Sequence, residues 1–282
     1  MKKRGKNINV FLMDGDSNGR IKCTLSNWTG VAYKIPRIEL EKCKDRQELK
    51  QSGVYFLFGV SDDNEDFVYI GEAGSRNNGE GILDRLQEHN RNIKNEEWKE
   101  YWREAVVFTT SNHSFGQTEI GYLEHHFYEL AKKSKRYATK NSNSTNPGNI
   151  TEEKESELEE YIDYAKIIIG VLGYKVFKPL NENHNYEKEI FYLKNSKVEA
   201  KCIQSSDGFV LLKGSKISKE IKNSLSSNLI KRREKVKNNI LEEDMLFLSI
   251  SSAAKFVVGY SINGWDAWKN KEGKTFKEIN NS

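Results

Sequence analysis

Alternation of apolar and polar positions is clearest between residues 53 and 71. In the segment 53–60, Tyr55 and Leu57 fall on one face of a predicted strand, and the opposite face carries Val54, Phe56 and Phe58. After a polar loop, the segment 67–71 repeats the pattern, with Tyr69 on the face opposite its apolar neighbours. The two segments therefore predict a β-hairpin with a tyrosine on each strand.

Helical periodicity follows the hairpin. Residues 82–91 place Ile82, Leu83 and Leu86 inward, and residues 117–134 carry an apolar stripe with the 3.6-residue period of a helix. A strong strand is predicted between them at 105–109. A third helix begins after Thr151, a residue suited to capping it, and Gly173 is a plausible stop.

Both ends of the chain read as mixed structure. Two strands (9–13 and 21–25), a third (28–35) and a short helix after Pro36 predict a small capping layer on the core. Past a polar boundary near residues 180–189, three further strands are predicted, followed by a long helix from Ile217 into the 240s. The predicted organisation is a β-rich capping segment at 1–50, a central domain at 51–180 and an accessory domain at 185–282. The fold class is α+β.

Composition narrows the class of protein. The chain has 282 residues, 37% of them hydrophobic, and only three prolines, which is typical of a folded globular protein. The net charge of +4 permits a nucleic-acid partner without requiring one. Three widely spaced cysteines predict neither a zinc cluster nor a disulfide framework and fit a reducing, cytoplasmic setting. The sequence shows neither a signal peptide nor a stretch long enough to cross a membrane.

The central segment also carries residues suited to cutting a phosphodiester. Glu124 offers the carboxylate oxygens that Mg²⁺ or Mn²⁺ prefers, and Arg85 offers a charge-assisted contact to the phosphate. Tyr55 or Tyr69 is a candidate general base if a neighbouring cation lowers its pKa from about 10, and His89 titrates near neutrality and is a candidate proton shuttle. Arg85 and His89 are four residues apart and so share one helix face.

Each residue also has an ordinary structural interpretation. A strand tyrosine usually packs, a helical arginine is usually a surface charge, and a glutamate beside a core stripe usually pairs with a lysine. The neighbours His125 and His126 diverge by about 100° on a helix and make a poor metal pair. The Gly-rich loop 71–81 lacks the GK[ST] ending of a phosphate-binding P-loop, which excludes that motif.

The order and spacing of these residues resemble the GIY-YIG nuclease superfamily. Gly53-Val54-Tyr55 resembles its first tripeptide and Tyr69-Ile70-Gly71 its second, with 13 residues between them. Arg85 followed by His89 resembles the arginine helix of the family, and the histidine resembles one found in its restriction-enzyme branch. Glu124 matches the metal-binding glutamate. Val54 in place of isoleucine, and the lack of a lysine near the second tripeptide, are departures from the family pattern.

The resemblance implies a small mixed β-sheet flanked by helices, with one metal on Glu124 and Tyr55 as the general base. It also implies a polar residue after the glutamate helix, for which Asn141 is preferred over Asn143. Arg76 is the nearest basic residue to replace the missing lysine. Both Asn141 and Arg76 are therefore predicted to help bind the substrate.

The C-terminal segment from Ser251 to Trp268 resembles an uncharacterised domain that often follows such nucleases. It is also similar to a module of restriction enzymes and adenine methylases, for which sensing of modified DNA has been proposed. Trp265 and Trp268 have core packing as their ordinary interpretation. Between Lys213 and Lys237 there are nine basic residues and two glutamates, a run that is either a phosphate-contacting surface or a solvated helix face. Its predicted phosphate contacts are Lys231, Arg232 and Arg233.

Together these observations predict a cytoplasmic endonuclease that depends on Mg²⁺ or Mn²⁺ and cuts DNA, in restriction or defence by analogy. Double-strand cleavage would call for a homodimer, since one site cuts one strand per encounter. The rival function is a non-catalytic DNA-binding or sensor protein on the same fold. RNA or branched DNA is the alternative substrate.

Overall fold

The computed structural model describes residues 5–62, 64–74, 81–91, 96–141, 147–180 and 189–280. The fold is α+β, as predicted. The chain divides into two compact units, Met1–Lys178 and Pro179–Ser282, and each has its own hydrophobic core.

A seven-stranded sheet forms the centre of the first unit. Its strands in chain order are β1 (Ile8–Leu12), β2 (Ile21–Leu25), β3 (Gly30–Pro36), β4 (Gly53–Val60), β5 (Asp66–Ala73), β6 (Trp102–Thr110) and β7 (Ala138–Thr139). They lie in the order β1-β2-β3-β6-β4-β5-β7. All neighbours are antiparallel except β5 and β7, so the sheet is mixed.

Helices cover both faces of this sheet. The helices among the described residues of this unit are α1 (Ile82–Arg91), α2 (Gln117–Ser134) and α3 (Glu152–Val171), with short 3₁₀ helices at Arg37–Cys43, Gln47–Lys50 and Glu97–Glu100. The face bearing Val54, Phe56 and Phe58 packs against α2 and α3. The opposite face, with Tyr55 and Leu57, packs against α1 and the first two 3₁₀ helices. The faces assigned from the alternation are therefore confirmed.

The N-terminal strands differ from their predicted role as a capping layer. β3 pairs with β6 from Gly30 to Pro36, so β1–β3 continue the central sheet rather than lying over it. The short element after Pro36 is a 3₁₀ helix that buries Leu40 and Cys43.

The second unit is built on a four-stranded antiparallel sheet. Its strands are β8 (Ile190–Lys194), β9 (Glu199–Ser205), β10 (Gly208–Leu211) and β11 (Met245–Phe247), in the order β11-β10-β9-β8. Its helices are α4 (Ser227–Glu234), α5 (Ile250–Val258), α6 (Gly264–Ala267) and α7 (Phe276–Asn280). Trp268 is fully buried in this core, whereas Trp265 is 42% exposed.

The long helix predicted from Ile217 into the 240s is wrong. Only Ser227–Glu234 is α-helical in that stretch, and Lys216 instead forms isolated β-bridges with Glu199 and with Ile240. The described residues contain no helix long and apolar enough to cross a membrane.

Candidate active site

The two tyrosines lie on adjacent strands of the first unit. Tyr55 on β4 is paired in register with Gly71 on β5, and the rings of Tyr55 and Tyr69 are 6.3 Å apart. A Cβ atom at position 71 would overlap the Tyr55 hydroxyl, so glycine there leaves the space that the phenol occupies. The glycine of the second tripeptide thus sets the position of the tyrosine in the first.

His89 contacts the Tyr55 hydroxyl from α1. The distance from the Tyr55 oxygen to His89 Nε2 is 2.8 Å, and the imidazole is only 5% exposed. Burial, followed by the charges of Arg85 and Lys99, lowers the pKa of His89 to about 4. The imidazole is therefore neutral near pH 7. Either Nε2 accepts the phenol proton or it donates its own, as the tautomer decides.

Both phenols are held in the neutral form. Burial raises the pKa of Tyr55 well above 10, and Tyr69 adds to the effect, while Arg85 opposes it. The pKa of Tyr69 is also raised, chiefly by burial. A general-base role for Tyr55 therefore requires the hydroxyl to pass its proton on, and His89 is the hydrogen-bonded group positioned to take it.

Arg85 lies beside the phenols on the same helix as His89. Its Nη1 donates to Glu88 Oε2 over 2.6 Å, and the side chain is partly exposed toward a cavity. Its positive charge acts on Tyr55 and on Glu124, favouring the anionic form of each. This placement suits a group that would bind a phosphate next to the phenols.

Glu124 on α2 faces the same cavity, with its side chain partly buried. Burial, followed by the neighbouring charge of Glu72, raises the pKa of the Glu124 carboxyl to about 7. Burial also raises the pKa of Glu72 itself. Two carboxyl groups therefore line the same cavity, and the charge of Glu72 disfavours ionisation of Glu124.

Sequence reasoning missed Glu72 and Gln117. Glu72 follows the second tripeptide directly, and its Oε1 accepts a 2.6 Å hydrogen bond from Nε2 of Gln117. Gln117 and Glu124 are seven residues apart, two helical turns, so they share a face of α2. That spacing, together with the adjacency of Glu72 to Gly71, was the available signal.

These groups line one cavity of about 410 Å³. The residues that line it are Tyr55, Tyr69, Glu72, Ala73, Gly74, Gly81, Asp84, Arg85, Glu88, Gln117 and Glu124. Four of the five predicted central residues thus line one cavity. The fifth, His89, is not part of the lining and forms a hydrogen bond with the Tyr55 hydroxyl. The described lining has four carboxylates and one guanidinium, a formal excess of three negative charges.

The chemistry of this lining fits a hard divalent cation. Glu72 Oε2 is buried and has no hydrogen-bond partner among the described residues, and the adjacent Glu124 carboxyl has its pKa raised. Carboxylate oxygens are what Mg²⁺ and Mn²⁺ prefer, and Mg²⁺ commonly uses one or two of them. No group of three or more His, Cys, Asp or Glu side chains with metal-binding geometry occurs within the described ranges. A site here would therefore complete its coordination with water and phosphate.

Asn141 lies next to the second tripeptide rather than in the cavity lining. Its Nδ2 donates to the Ile70 carbonyl over 2.6 Å, and its Oδ1 accepts from the Ile70 N–H over 3.2 Å. The side chain thus holds β5 in place by satisfying its backbone. The other predicted substrate-binding residue of this unit, Arg76, and the alternative Asn143 lie outside the described residues.

The predicted phosphate contacts of the second unit lie on α4 and differ in accessibility. Lys231 is exposed, whereas Arg232 is half-buried, 4.4 Å from the Phe247 ring, and donates to the Leu246 carbonyl. Arg233 is only 5% exposed and donates to the carbonyls of Phe256 and Ser218. The prediction of a phosphate contact at Arg233 is therefore wrong, because its guanidinium is committed to the core.

Comparison with known proteins gives one match. A family profile described as a domain of unknown function (DUF4357) matches residues 191–280. This span falls within the second compact unit. No curated protein and no solved structure matches the chain significantly.

Proposed function

We propose that this chain is a divalent-metal-dependent endonuclease that hydrolyses phosphodiester bonds in DNA. The observation that carries the proposal is the meeting of Tyr55, Tyr69, Arg85 and Glu124 in one cavity, with His89 hydrogen-bonded to Tyr55. These residues come from two strands and two helices. Their convergence is more specific to chemistry than any one of them alone.

Each residue has a role that its surroundings support. Arg85, half-exposed and held by Glu88, would exchange that partner for a phosphate oxygen of the substrate. Tyr55 would take a proton from the attacking water while passing its own to the neutral His89, which the 2.8 Å contact allows. Tyr69, stacked on Trp98 with ring centroids 4.6 Å apart, would hold Tyr55 from the side. Glu124 would hold the cation, which when bound lowers the pKa of water and neutralises phosphoryl charge.

The decisive test is plasmid cleavage with Mg²⁺ or Mn²⁺ by wild-type protein and by Glu124→Ala. We expect the variant to lose about 100-fold or more in rate, the scale seen when one preorganised charge-stabilising group is removed. The matched control is Glu129→Ala, since Glu129 lies on the same helix with an exposed side chain and should leave cleavage unchanged. Cleavage that survives Glu124→Ala at the wild-type rate, with the fold verified by circular dichroism, would contradict the mechanism.

A second candidate function is a non-catalytic DNA-binding or sensor protein. The favouring observation is the basic run of the second unit, in which Lys231 is exposed on α4. Salt-dependent DNA binding with no metal-dependent cleavage of plasmid, branched DNA or RNA would support it. The same panel distinguishes DNA from RNA or branched substrates for the nuclease.

The biological setting that goes with the proposal is a cytosolic role in restriction or defence, by analogy with the restriction branch of the family that the sequence resembles. All three cysteines are buried free thiols, which agrees with a reducing compartment. Because one site cuts one strand per encounter, double-strand cleavage in one event would point to a homodimer on the substrate.

A further inference from the structure

Glu72 occupies a defined place beside the proposed metal ligand. It is the second residue after Ile70 on β5, and both side chains point to the sheet face covered by α2. Glu124 projects from α2 into the same cavity. A strand and a helix therefore each contribute one carboxylate to a single space.

Gln117 fixes the orientation of Glu72. Its amide nitrogen binds one carboxylate oxygen at 2.6 Å, which leaves the other oxygen, Oε2, directed elsewhere. Gly74 gives the amide the room it needs, since a Cβ at that position would lie 2.7 Å from Gln117 Oε1. The contact pre-orients the carboxylate in the way that outer hydrogen bonds orient metal ligands.

The position of Glu72 Oε2 is energetically unfavourable without a bound partner. Oε2 is buried without a hydrogen-bond partner among the described residues, and an unpaired buried polar group costs about 1–3 kcal/mol. Arg85 is the one basic side chain in the described lining, and it is paired with Glu88. A cation held in the cavity by Glu72 and Glu124 would give this unpaired oxygen a partner.

We propose that Glu72 is a second carboxylate ligand for the same divalent cation as Glu124, and that Gln117 positions it. This inference rests on the proposed function only for the presence of a cation in the cavity. The alternative is a shared proton, in which Glu124 is protonated and stabilises Glu72 with no metal involved. The two arrangements differ in what removal of the Glu72 charge does to metal affinity.

The test measures Mn²⁺ affinity directly, by electron paramagnetic resonance of the free ion, on the full chain. The variants are Glu72→Gln, Glu124→Gln and Asp84→Asn, in the absence of DNA and again with a short duplex in a Tyr55→Phe background. Asp84 also lines the cavity, so its variant removes the same charge and measures the general electrostatic effect. Glutamine at 72 can still accept from Gln117, which keeps the local packing.

We expect Glu72→Gln and Glu124→Gln each to raise the Mn²⁺ dissociation constant by about 10-fold or more, and Asp84→Asn by much less. Gln117→Leu should weaken binding in the same direction and to a smaller extent, as a positioning residue would.

Several outcomes would overturn the inference. The first is an unchanged Mn²⁺ dissociation constant in Glu72→Gln. The second is a loss of Mn²⁺ affinity in Asp84→Asn as large as in Glu72→Gln. The last is no Mn²⁺ binding by the wild type with or without DNA. The shared-proton arrangement predicts the first or the last of these. Failure of the proposed function is read separately: Mn²⁺ binding that depends on Glu72, with no cleavage of any substrate, would leave this inference standing and remove the nuclease.

Discussion

At the scale of single residues, the site depends on a glycine that leaves space for a tyrosine ring. Gly71 faces Tyr55 across the β4–β5 pair, and its missing side chain is where the phenol lies. The same hydroxyl contacts His89, so the position of the Tyr55 ring sets both its approach to Gly71 and its hydrogen bond to His89. In the proposed nuclease, residue 71 would therefore influence the reaction by positioning Tyr55 rather than by contacting the substrate.

Gly71→Ala should destabilise the first unit by about 1–3 kcal/mol, since an added methyl in a packed core forces side chains to move. It should also lower cleavage strongly by displacing the Tyr55 hydroxyl. Thermal melts and plasmid cleavage measure the two effects. Gly170→Ala is the matched control, because no atom lies within 4 Å of a Cβ there and alanine should stabilise helix α3 by about 0.5–1 kcal/mol. Equal behaviour of the two variants would contradict the role of Gly71.

Sequence reasoning reached most of the central residues but not their partners. Tyr55, Tyr69, Arg85, His89 and Glu124 were predicted from type, order and spacing. Glu72 was not, because its adjacency to Gly71 and the spacing of Gln117 and Glu124 can be connected only once α2 packs over β5. The partial burial that raises the pKa of Glu124 likewise depends on tertiary packing.

At the scale of secondary structure, hydrophobic periodicity predicts an element correctly where one face of that element is apolar. The bounds of α1 and α2, and the two faces of β4, follow from periodicity alone. It failed between Ile217 and the 240s, where charged residues gave the appearance of a continuous helix. Asn238 and Asn239 have φ angles of 54° and 57°, a left-handed conformation that ends any helix. Backbone pairing of Lys216 with Glu199 and Ile240 replaces the predicted helical bonds.

Arg233 illustrates the same limit and has a testable consequence. Its guanidinium donates to the carbonyls of Phe256 and Val257 at the end of α5 and to those of Ser218 and Glu220. A cation at this position donates hydrogen bonds to carbonyls that have no donor within the helix. It also interacts favourably with the partial negative charge at the C-terminal end of α5.

Arg233→Met should therefore lower the free energy of unfolding of the second unit by about 3 kcal/mol, because buried carbonyls lose their donor. Chemical denaturation followed by the fluorescence of the buried Trp268 would measure the change. Lys231→Met is the control, since it removes an exposed charge on the same helix and should change stability by no more than about 0.5 kcal/mol. A loss as large in Lys231→Met as in Arg233→Met would show that charge rather than burial matters.

At the scale of the whole molecule, the described apolar residues of the two units form separate clusters. Phe56, Phe108 and Phe127 belong to the first, and Phe256 and Trp268 belong to the second. The division falls at Lys178, close to the polar stretch that the sequence marked as a boundary. The sequence predicts a boundary in this stretch because few apolar residues occur there.

A fragment of residues 1–178 should fold alone, with a cooperative melt and the Mn²⁺ affinity of the full chain, because all described cavity residues lie within it. Circular dichroism melts and the Mn²⁺ titration check this. A fragment of residues 1–150 is the control, since it lacks α3 and so removes Leu158, Ile162 and Ile169 from the core. A molten 1–178 fragment, or a well-folded 1–150 fragment, would contradict the assignment.

The negative lining of the cavity implies an order of events. The described lining holds four carboxyl groups and one guanidinium, a formal negative excess that disfavours a phosphate arriving by itself. In the proposed nuclease, nucleic acid should therefore bind productively only after, or together with, a cation. The metal-free protein would then not cleave nucleic acid, and the availability of divalent ions would control its activity. Such control is useful to any nuclease that shares a compartment with nucleic acid that it must not cleave.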